Sequence, residues 1–332
     1  MDNQHINPGR LLAISGNYWK ACTLHAGVKL NLFTVIGDEQ VTSEDIAQRL
    51  EANERGVDML LNALTAMGLL SKTENDYSNT SASRTFLSKD SSQYIGYMIM
   101  HHHNLVDSWA KLNKAVRTGK PVRERVSHSE GETRESFLMG MFNMAMNVAP
   151  RLVIKINLSK RKHLLDFGGG PGTYAIHFCM NNPQLKATVY DLPDTRPFAQ
   201  STIEKFGLKK RIDFMDGDYL KDSIKGIYDV VWLSHILHGE GPEDCRKIIN
   251  KAVSALEPGG IIIVHDFILN DTMNSPLFPA LFSLNMLLGT ENGQSYSEKQ
   301  IKNMLADAGV KDMQRIPIQT PNDSGIIIGI IR

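Results

Sequence analysis

The chain lacks any excess of charge: 36 basic residues stand against 36 acidic ones in 332. Zero net charge gives no general electrostatic pull toward nucleic acid or an anionic membrane. Cysteine is scarce as well. Cys22, Cys179 and Cys245 are odd in number and far apart, which excludes a disulfide framework and a CxxC metal knuckle, and no metal site is expected. No apolar run approaches the roughly 18 residues of a membrane helix; the best, Ile261 to Val264, ends at His265-Asp266. The opening MDNQHINPGR has no apolar stretch of the signal-peptide kind. The expectation is a cytoplasmic protein without membrane or nucleic-acid partners.

What is present is an ordinary globular composition, 42% hydrophobic and 22% charged, in a length that at about 150 residues per domain suggests two domains. Two regimes are visible. Up to about residue 155 the pattern is helical. From about 160 onward short β-branched runs alternate with helical stretches, the mark of a parallel sheet built from βαβ units. In the first regime Asn7-Pro8-Gly9 precedes a long apolar-periodic helix carrying Leu11, Leu12, Ile14, Trp19 and Leu24. Thr42 and Asp45 have capping-box spacing and open a helix through Leu50. A further helix runs from Glu54 to Met67 and stops at Gly68; then Leu69 to Lys72, the turn Glu74-Asn75-Asp76 and Tyr77 to Asn79 form a hairpin. Two helices and a two-stranded wing make a winged helix-turn-helix. A DNA reader would need a basic second helix, yet Glu54, Arg55 and Asp58 leave this one acidic, so dimerisation fits better. Residues 94–156 add helices rich in methionine and aromatics, among them Met98, Met139, Met141, Met144 and Met146. Such stripes suit either a core or an adaptable pocket for a flat ligand. His101-His102-His103 are adjacent on a helix and splay about 100° apart, so they cannot all ligate one metal; one or two could face a substrate pocket.

The second regime reads strand by strand: 163–167, 187–191, 212–215, 228–233 and 260–266, with helices over 173–180, 198–206 and 243–256. A terminal antiparallel hairpin, 311–319 and 326–331, closes the sheet. Ligands of an open α/β sheet bind outside the carboxyl ends of its strands. Gly168 to Gly172, Asp191, Asp218, Ser234 to His238 and Asp266 all lie on that rim. The glycine loop has two readings. Gly170, Gly172 and Ala175 with Asp191 satisfy a relaxed dinucleotide fingerprint, so NAD stays open. In the other frame Asp166 precedes Gly168-x-Gly170-x-Gly172, with acids at three successive strand ends and Tyr219 beside the third. That set is poor for a pyrophosphate and good for the cationic S-adenosylmethionine.

The motifs Asp166 to Gly172, Asp191-Leu192-Pro193, Gly217-Asp218-Tyr219, Ser234-His235-Ile236-Leu237-His238 and Glu257-Pro258-Gly259-Gly260, with the helix around Phe142 to Met146, resemble those of S-adenosylmethionine-dependent O-methyltransferases of the caffeate and hydroxyindole type, bacterial members included. The likeness covers nearly the whole chain. It implies a Rossmann-like class I methyltransferase α/β sheet with a terminal antiparallel β-hairpin, over 156–332. It also implies a mainly helical winged-helix dimerisation domain over 1–100, a helical linker contributing to the substrate pocket over 101–155, and a homodimer. By the same resemblance Gly168, Gly170, Asp191, Leu192, Asp218, Tyr219 and Ser234 hold the cofactor S-adenosyl-L-methionine. His238 is the general base, and Asp266 matches an acid that flanks it.

Three departures stand out. Ser234 replaces a lysine of the plant members, Gly239 replaces the usual Asp after the base, and the second flanking acid falls near Ser295, where Glu291 or Glu298 could substitute. The expected activity is O-methylation of a small aromatic or polycyclic acceptor. Carbon methylation of a tetrapyrrole or other flat macrocycle, an NAD(P)-dependent oxidoreductase and a winged-helix regulator are the alternatives.

Overall fold

A computed structural model describes residues 6–126 and 130–332 of the chain. It divides into two compact units, Met1–Leu105 and Val106–Arg332, so the residues expected as a linker, 101–155, fall partly in each.

The first unit opens with α1 (Pro8–Gly16), capped by the Asn7 side chain and started by Pro8, and α2 (Tyr18–Lys29). The single long helix expected here breaks at Asn17, after Gly16, where helix propensity is low. The unit continues with α3 (Leu32–Ile36), β1 (Val41–Thr42), α4 (Ser43–Arg49), α5 (Glu54–Ala66), β2 (Leu70–Thr73), β3 (Asp76–Asn79) and α6 (Ser81–Phe86), followed by α7 (Gly96–Trp109). Thr42 caps α4, accepting from the Asp45 amide at 3.1 Å and donating to Asp45 Oδ2 at 2.8 Å. The reciprocal bond of the capping box thus runs through the threonine hydroxyl. The hairpin of β2 and β3 gains a third strand, β1, in the order β1-β3-β2. Its core is Leu32, Phe33, Ile36, Ile46, Leu61 and Leu64, all fully buried. By contrast α1 buries nothing.

The second unit begins with α8 (Leu112–Thr118) and α9 (Gly131–Val153). Then β4 (His163–Phe167), α10 (Thr173–Asn181), β5 (Lys186–Asp191), α11 (Arg196–Lys205), β6 (Ile212–Asp216), β7 (Tyr228–Ser234), α12 (Pro242–Ser254) and β8 (Leu256–Leu269) alternate. The chain ends with α13 (Leu277–Gly289), β9 (Tyr296–Ser297), α14 (Glu298–Asp307), β10 (Lys311–Ile316) and β11 (Ser324–Ile330). The sheet order is β10-β11-β8-β7-β4-β5-β6, with β9 paired to β8. Strands β6, β5, β4, β7 and β8 run parallel and the final hairpin antiparallel.

Side chains alternate across a strand, and both faces are covered here. Leu164, Val189, Trp232, Ile261 and Ile263 pack on the face of α9 and α10. Leu165, Tyr190, Val231, Leu233, Ile262 and Val264 pack on that of α12 and α14. That is why the strands read as continuous apolar runs. Strand order reverses at β4, placing a crevice at the carboxyl ends of β4 and β7. The fifth strand is longer than its β-branched run: β8 continues to Leu269, so Asp266 lies inside the strand, and β9 pairs with its extension at Ile268 and Leu269. Among the described residues no helix is long and apolar enough to cross a membrane.

Candidate active site at the carboxyl edge of the sheet

The loop after β4 turns back over the strand ends. Gly168 donates to Tyr190 O at 2.7 Å, and Gly170 donates to Asp191 Oδ2 at 2.8 Å. Both glycines have positive φ, 73° and 54°, which other residues rarely adopt. They differ in surroundings. A Cβ on Gly168 would strike the Ile236 side chain and come within 3.9 Å of the Tyr219 ring, whereas one on Gly170 would meet nothing within 4 Å. Gly170 therefore faces open space at the rim, and Gly168 lets Ile236 approach the backbone beside Tyr219.

Asp191 closes β5. Its Oδ1 accepts from the Leu192 amide at 2.8 Å and from Thr195 Oγ1 at 3.0 Å. With the Gly170 bond, three of about four acceptor sites are filled. Burial raises this carboxyl, while those bonds and the charge of Arg134 pull it back. Arg134, on α9, donates to Thr195 Oγ1 at 3.4 Å. Beneath the loop Asp166 is buried; its Oδ2 accepts from the Ala175 amide at 3.1 Å. Its Oδ1 has no hydrogen-bond partner among the described residues. Burial first, and Asp191 second, push this carboxyl up to about 7.

Past β6, Asp218 turns toward its own loop, accepting from the Leu220 amide at 2.9 Å and pairing with Lys221 at 3.0 Å. Burial raises this carboxyl, but those bonds outweigh it and the net shift is downward. The Tyr219 ring packs edge-on to Phe167 at 6.3 Å, and its hydroxyl donates to Glu240 Oε1 at 2.8 Å. Burial chiefly raises that phenol.

Beyond β7 the chain makes a tight turn holding His235 and His238. Asp266 Oδ1 lies 2.6 Å from His238 Nδ1, and Asp266 Oδ2 accepts from the His238 amide at 3.3 Å. Burial alone would raise Asp266, but the charge of His238 and its hydrogen bond, with the nearby His235, hold it well below the usual carboxylate range. An ionised carboxylate only accepts, so His238 Nδ1 is the donor in this bond. Phe267 stacks on the His238 ring at 5.5 Å, and Phe282 meets it edge-on at 4.8 Å. Phe278 stacks on Phe282 at 5.9 Å, extending this wall from β8 to α13.

His235 Nδ1 lies 3.7 Å from the same Asp266 oxygen; burial lowers its pKa. Among the described residues, His235, His238 and Asp266 are the group of three metal-capable side chains within 4.8 Å of one another. The 2.6 Å separation of His238 from Asp266 is that of a charge-assisted hydrogen bond. His265 is buried, bonded to Ser234 Oγ at 3.0 Å and to Ser324 Oγ at 2.9 Å. The Ser234 hydroxyl is thus engaged with the sheet interior.

The structure brings Gly168, Gly170, Asp191, Leu192, Asp218, Tyr219, Ser234, His238 and Asp266 to one edge. Of the two acids suggested beside the base, Glu291 is exposed and Glu298 pairs with Lys302 and Arg315, while Ser295 is buried. The acid that does lie near the base turn is Glu240, buried and paired with Arg125 at 2.6 Å. Patterning misses Glu240, Arg125, Arg134 and Phe282, because each reaches the site from a different element. The methionines of α9 are half-buried, while Leu138, Gly140 and Phe142 take the buried positions. His101 to His103 lie on α7 in the first unit, where the His103 ring packs edge-on to His25 at 5.6 Å.

Comparison with known proteins accords with this geometry. An O-methyltransferase domain profile matches residues 109–311, and an O-methyltransferase dimerisation domain profile matches residues 12–89. The chain is 31% identical over 329 residues to a 3-hydroxy-5-methyl-1-naphthoate 3-O-methyltransferase of Streptomyces sahachiroi, covering 97% of this chain and 95% of that one. It is 29% identical over 326 residues to the tetracenomycin polyketide synthesis 8-O-methyltransferase of Streptomyces glaucescens, covering 96% of each. Human N-acetylserotonin methyltransferase in complex with S-adenosylmethionine superposes with a TM-score of 0.86 at 25% identity, covering 100% of this chain and 99% of that one. The open space at Gly170, the unpartnered Asp166 oxygen and the acids at successive strand ends fit that cationic cofactor, and the dinucleotide reading of the loop is set aside. With both profiles matched in order, and relatives alike over nearly its full length, the chain belongs to the S-adenosylmethionine-dependent O-methyltransferase family.

Proposed function

We propose that the acceptor is a flat phenolic molecule and that His238, oriented by Asp266, removes its proton. The observation that carries this reading is the 2.6 Å contact of His238 Nδ1 with a buried, ionised Asp266. S-adenosylmethionine supplies a methyl group activated by its sulfonium. The protein's task is then to position, desolvate and deprotonate. A phenol has a pKa near 10 and is mostly protonated at neutral pH. An imidazole is the ordinary side chain that can take that proton there. Asp266 fixes the tautomer and favours the imidazolium once formed. Gly168 and Gly170 would face the methionine part of the cofactor, Asp191 and Leu192 the ribose, and Asp218 with Tyr219 the adenine. Ser234 would complete the wall through His265, and Arg134 is the cation suited to the carboxylate.

The wall of Phe267, Phe278 and Phe282 supports an aromatic acceptor, because offset and edge-on ring contacts favour flat ligands. The naphthoate in the name of the Streptomyces sahachiroi relative has that shape. We further read α4, α5 and the β2–β3 hairpin as a winged helix used for homodimerisation in the cytoplasm. Leu11, Leu12, Ile14, Tyr18 and Trp19 are exposed along α1 and α2 and would be covered by a second copy. His238→Ala tests the assignment: turnover should fall by about 10²–10⁴-fold while S-adenosylhomocysteine still binds. Unchanged turnover would remove His238 from the role of base.

A further inference from the structure

Between α8 and α9 the chain runs as a strap from Gly119 to Val126. It is fastened to α13, within the same unit, by backbone and side-chain bonds. Val122 and Arg123 both donate their amides to Leu288 O, at 3.0 and 3.2 Å. The Arg123 side chain lies over Gly289 and donates to Asn285 O at 3.3 Å. Two residues on, Arg125 reaches into the turn that follows His238. One guanidinium nitrogen pairs with Glu240 Oε1 at 2.6 Å, and another donates to the Tyr219 hydroxyl at 2.8 Å. Tyr219 itself donates to Glu240 Oε1 at 2.8 Å. The three groups close a ring of charge-assisted hydrogen bonds. One face of that ring is the Tyr219 side chain flanking Gly168, and the other is the backbone of the His238 turn.

Space for this arrangement comes from the residue after His238. A Cβ on Gly239 would lie 2.7 Å from a guanidinium nitrogen of Arg125, so the guanidinium would have to leave this position. The departure from the family pattern at Gly239 therefore coincides with an arginine seated on that glycine. From this juxtaposition we infer that Arg125 is a positioning residue for the cofactor: by holding Glu240 and the Tyr219 hydroxyl together, it sets the Tyr219 ring beside Gly168 in the geometry that receives adenine. The inference rests on the assignment of Tyr219 to the cofactor cleft.

The physical reason is the cost of what remains when Arg125 is absent. Glu240 is buried, and without its partner it would be a desolvated, uncompensated carboxylate. It would relax by turning toward water, releasing the Tyr219 hydroxyl and the ring with it. His238 and Asp266 lie outside the ring of bonds and keep their own contact.

The test uses the full-length protein and calorimetric titration with S-adenosylhomocysteine, beside steady-state methyl transfer. Arg125→Met should weaken S-adenosylhomocysteine binding about 10-fold, as loss of charge-assisted hydrogen bonds implies. Turnover at saturating cofactor should stay within about 3-fold of wild type, because the base is untouched. Arg125→Lys, which keeps the charge on Glu240, should recover part of the affinity. Gly239→Ala should reproduce the effect without altering Arg125, by pushing the guanidinium aside. Combined with Arg125→Met it should add little, because both remove the same contact. If Arg125→Met does not fold, Gly239→Ala alone carries the test. Wild-type affinity in either folded variant, or a loss confined to turnover, would overturn the inference. Failure of the wild-type protein to bind S-adenosylhomocysteine would instead overturn the cofactor assignment.

Discussion

Asp266→Asn isolates the electrostatic part of the proposed base from its packing, since the two side chains are nearly the same size. Asp266 Oδ1 accepts from His238 Nδ1 at 2.6 Å and from the Phe267 amide at 2.8 Å. An amide oxygen can accept both bonds, so the ring should stay where Phe267 and Phe282 hold it. What disappears is the negative charge opposite the imidazolium that forms during proton removal. Hydrogen bonds to charged groups contribute about 1.5–3 kcal/mol, against about 0.5–1.5 kcal/mol for neutral ones. The difference, about 1–1.5 kcal/mol, falls on the transition state. At about 1.4 kcal/mol per factor of ten, turnover should drop by about 5- to 12-fold. The amide nitrogen also faces the His238 backbone N–H, where Oδ2 accepts at 3.3 Å, which can carry the loss toward about 100-fold. The assay is single-turnover transfer of labelled methyl to a phenol, with S-adenosylhomocysteine affinity measured in parallel. Unchanged transfer in a variant that binds the cofactor normally would mean that Asp266 does not act through His238.

Other perturbations read different parts of the account. Asp166, pushed up to about 7, contributes stability that is fully present below the unfolded carboxylate value near 4 and is lost as pH rises through about 7. Asp166→Asn, which cannot ionise, should flatten that fall, which amounts to at most about 4 kcal/mol; urea midpoints at about pH 5 and about pH 8 report it, and parallel slopes in both proteins would contradict it. The same carboxyl should release a proton when the cationic cofactor binds near pH 7 but not when its neutral product binds, a difference visible in calorimetry across buffers of unlike ionisation enthalpy. Phe282→Ala should raise the acceptor KM several-fold while leaving S-adenosylhomocysteine affinity unchanged, and an equal loss of both would place Phe282 in general packing. Leu12→Glu with Trp19→Glu should convert a dimer into a species of 37.1 kDa by light scattering; a wild-type mass already at that value would end the dimer proposal.

Most of the sheet is legible in the sequence because its strands are buried on both faces, so Val230 to Leu233 or Ile261 to Val264 read as unbroken apolar runs. The residues at their ends are legible for the same reason: a strand that stops at Asp191 or Ser234 fixes which side chains reach the rim. Where local signals are weak, legibility fails. Strand β8 runs on to Leu269, beyond its β-branched stretch, because β9 arrives from far along the chain to pair with it. Strand β1, only Val41–Thr42, exists because β3 is there to receive it. Turn residues from Asn270 to Pro276, Asn292-Gly293 and the Ser297–Gln300 capping box delimit α13 and α14, but nothing in that spacing reports that Phe278 and Phe282 pack beside Phe267. Arg125 is hidden for another reason. It meets Tyr219 and Glu240 across 94 and 115 residues, and nothing in the spacing of arginines reports such a contact. Asp266 and His238 are separated by 28 residues, and their pairing is anticipated from the family resemblance rather than from spacing.

The central claim, base-assisted methyl transfer at the His238 turn, is tested most directly by transfer of labelled methyl from S-adenosylmethionine to a phenolic acceptor in wild-type and His238→Ala proteins of equal cofactor affinity. The account predicts a loss of at least about 100-fold in the variant, with the label recovered on the acceptor oxygen in the wild type. Wild-type turnover by His238→Ala would contradict it.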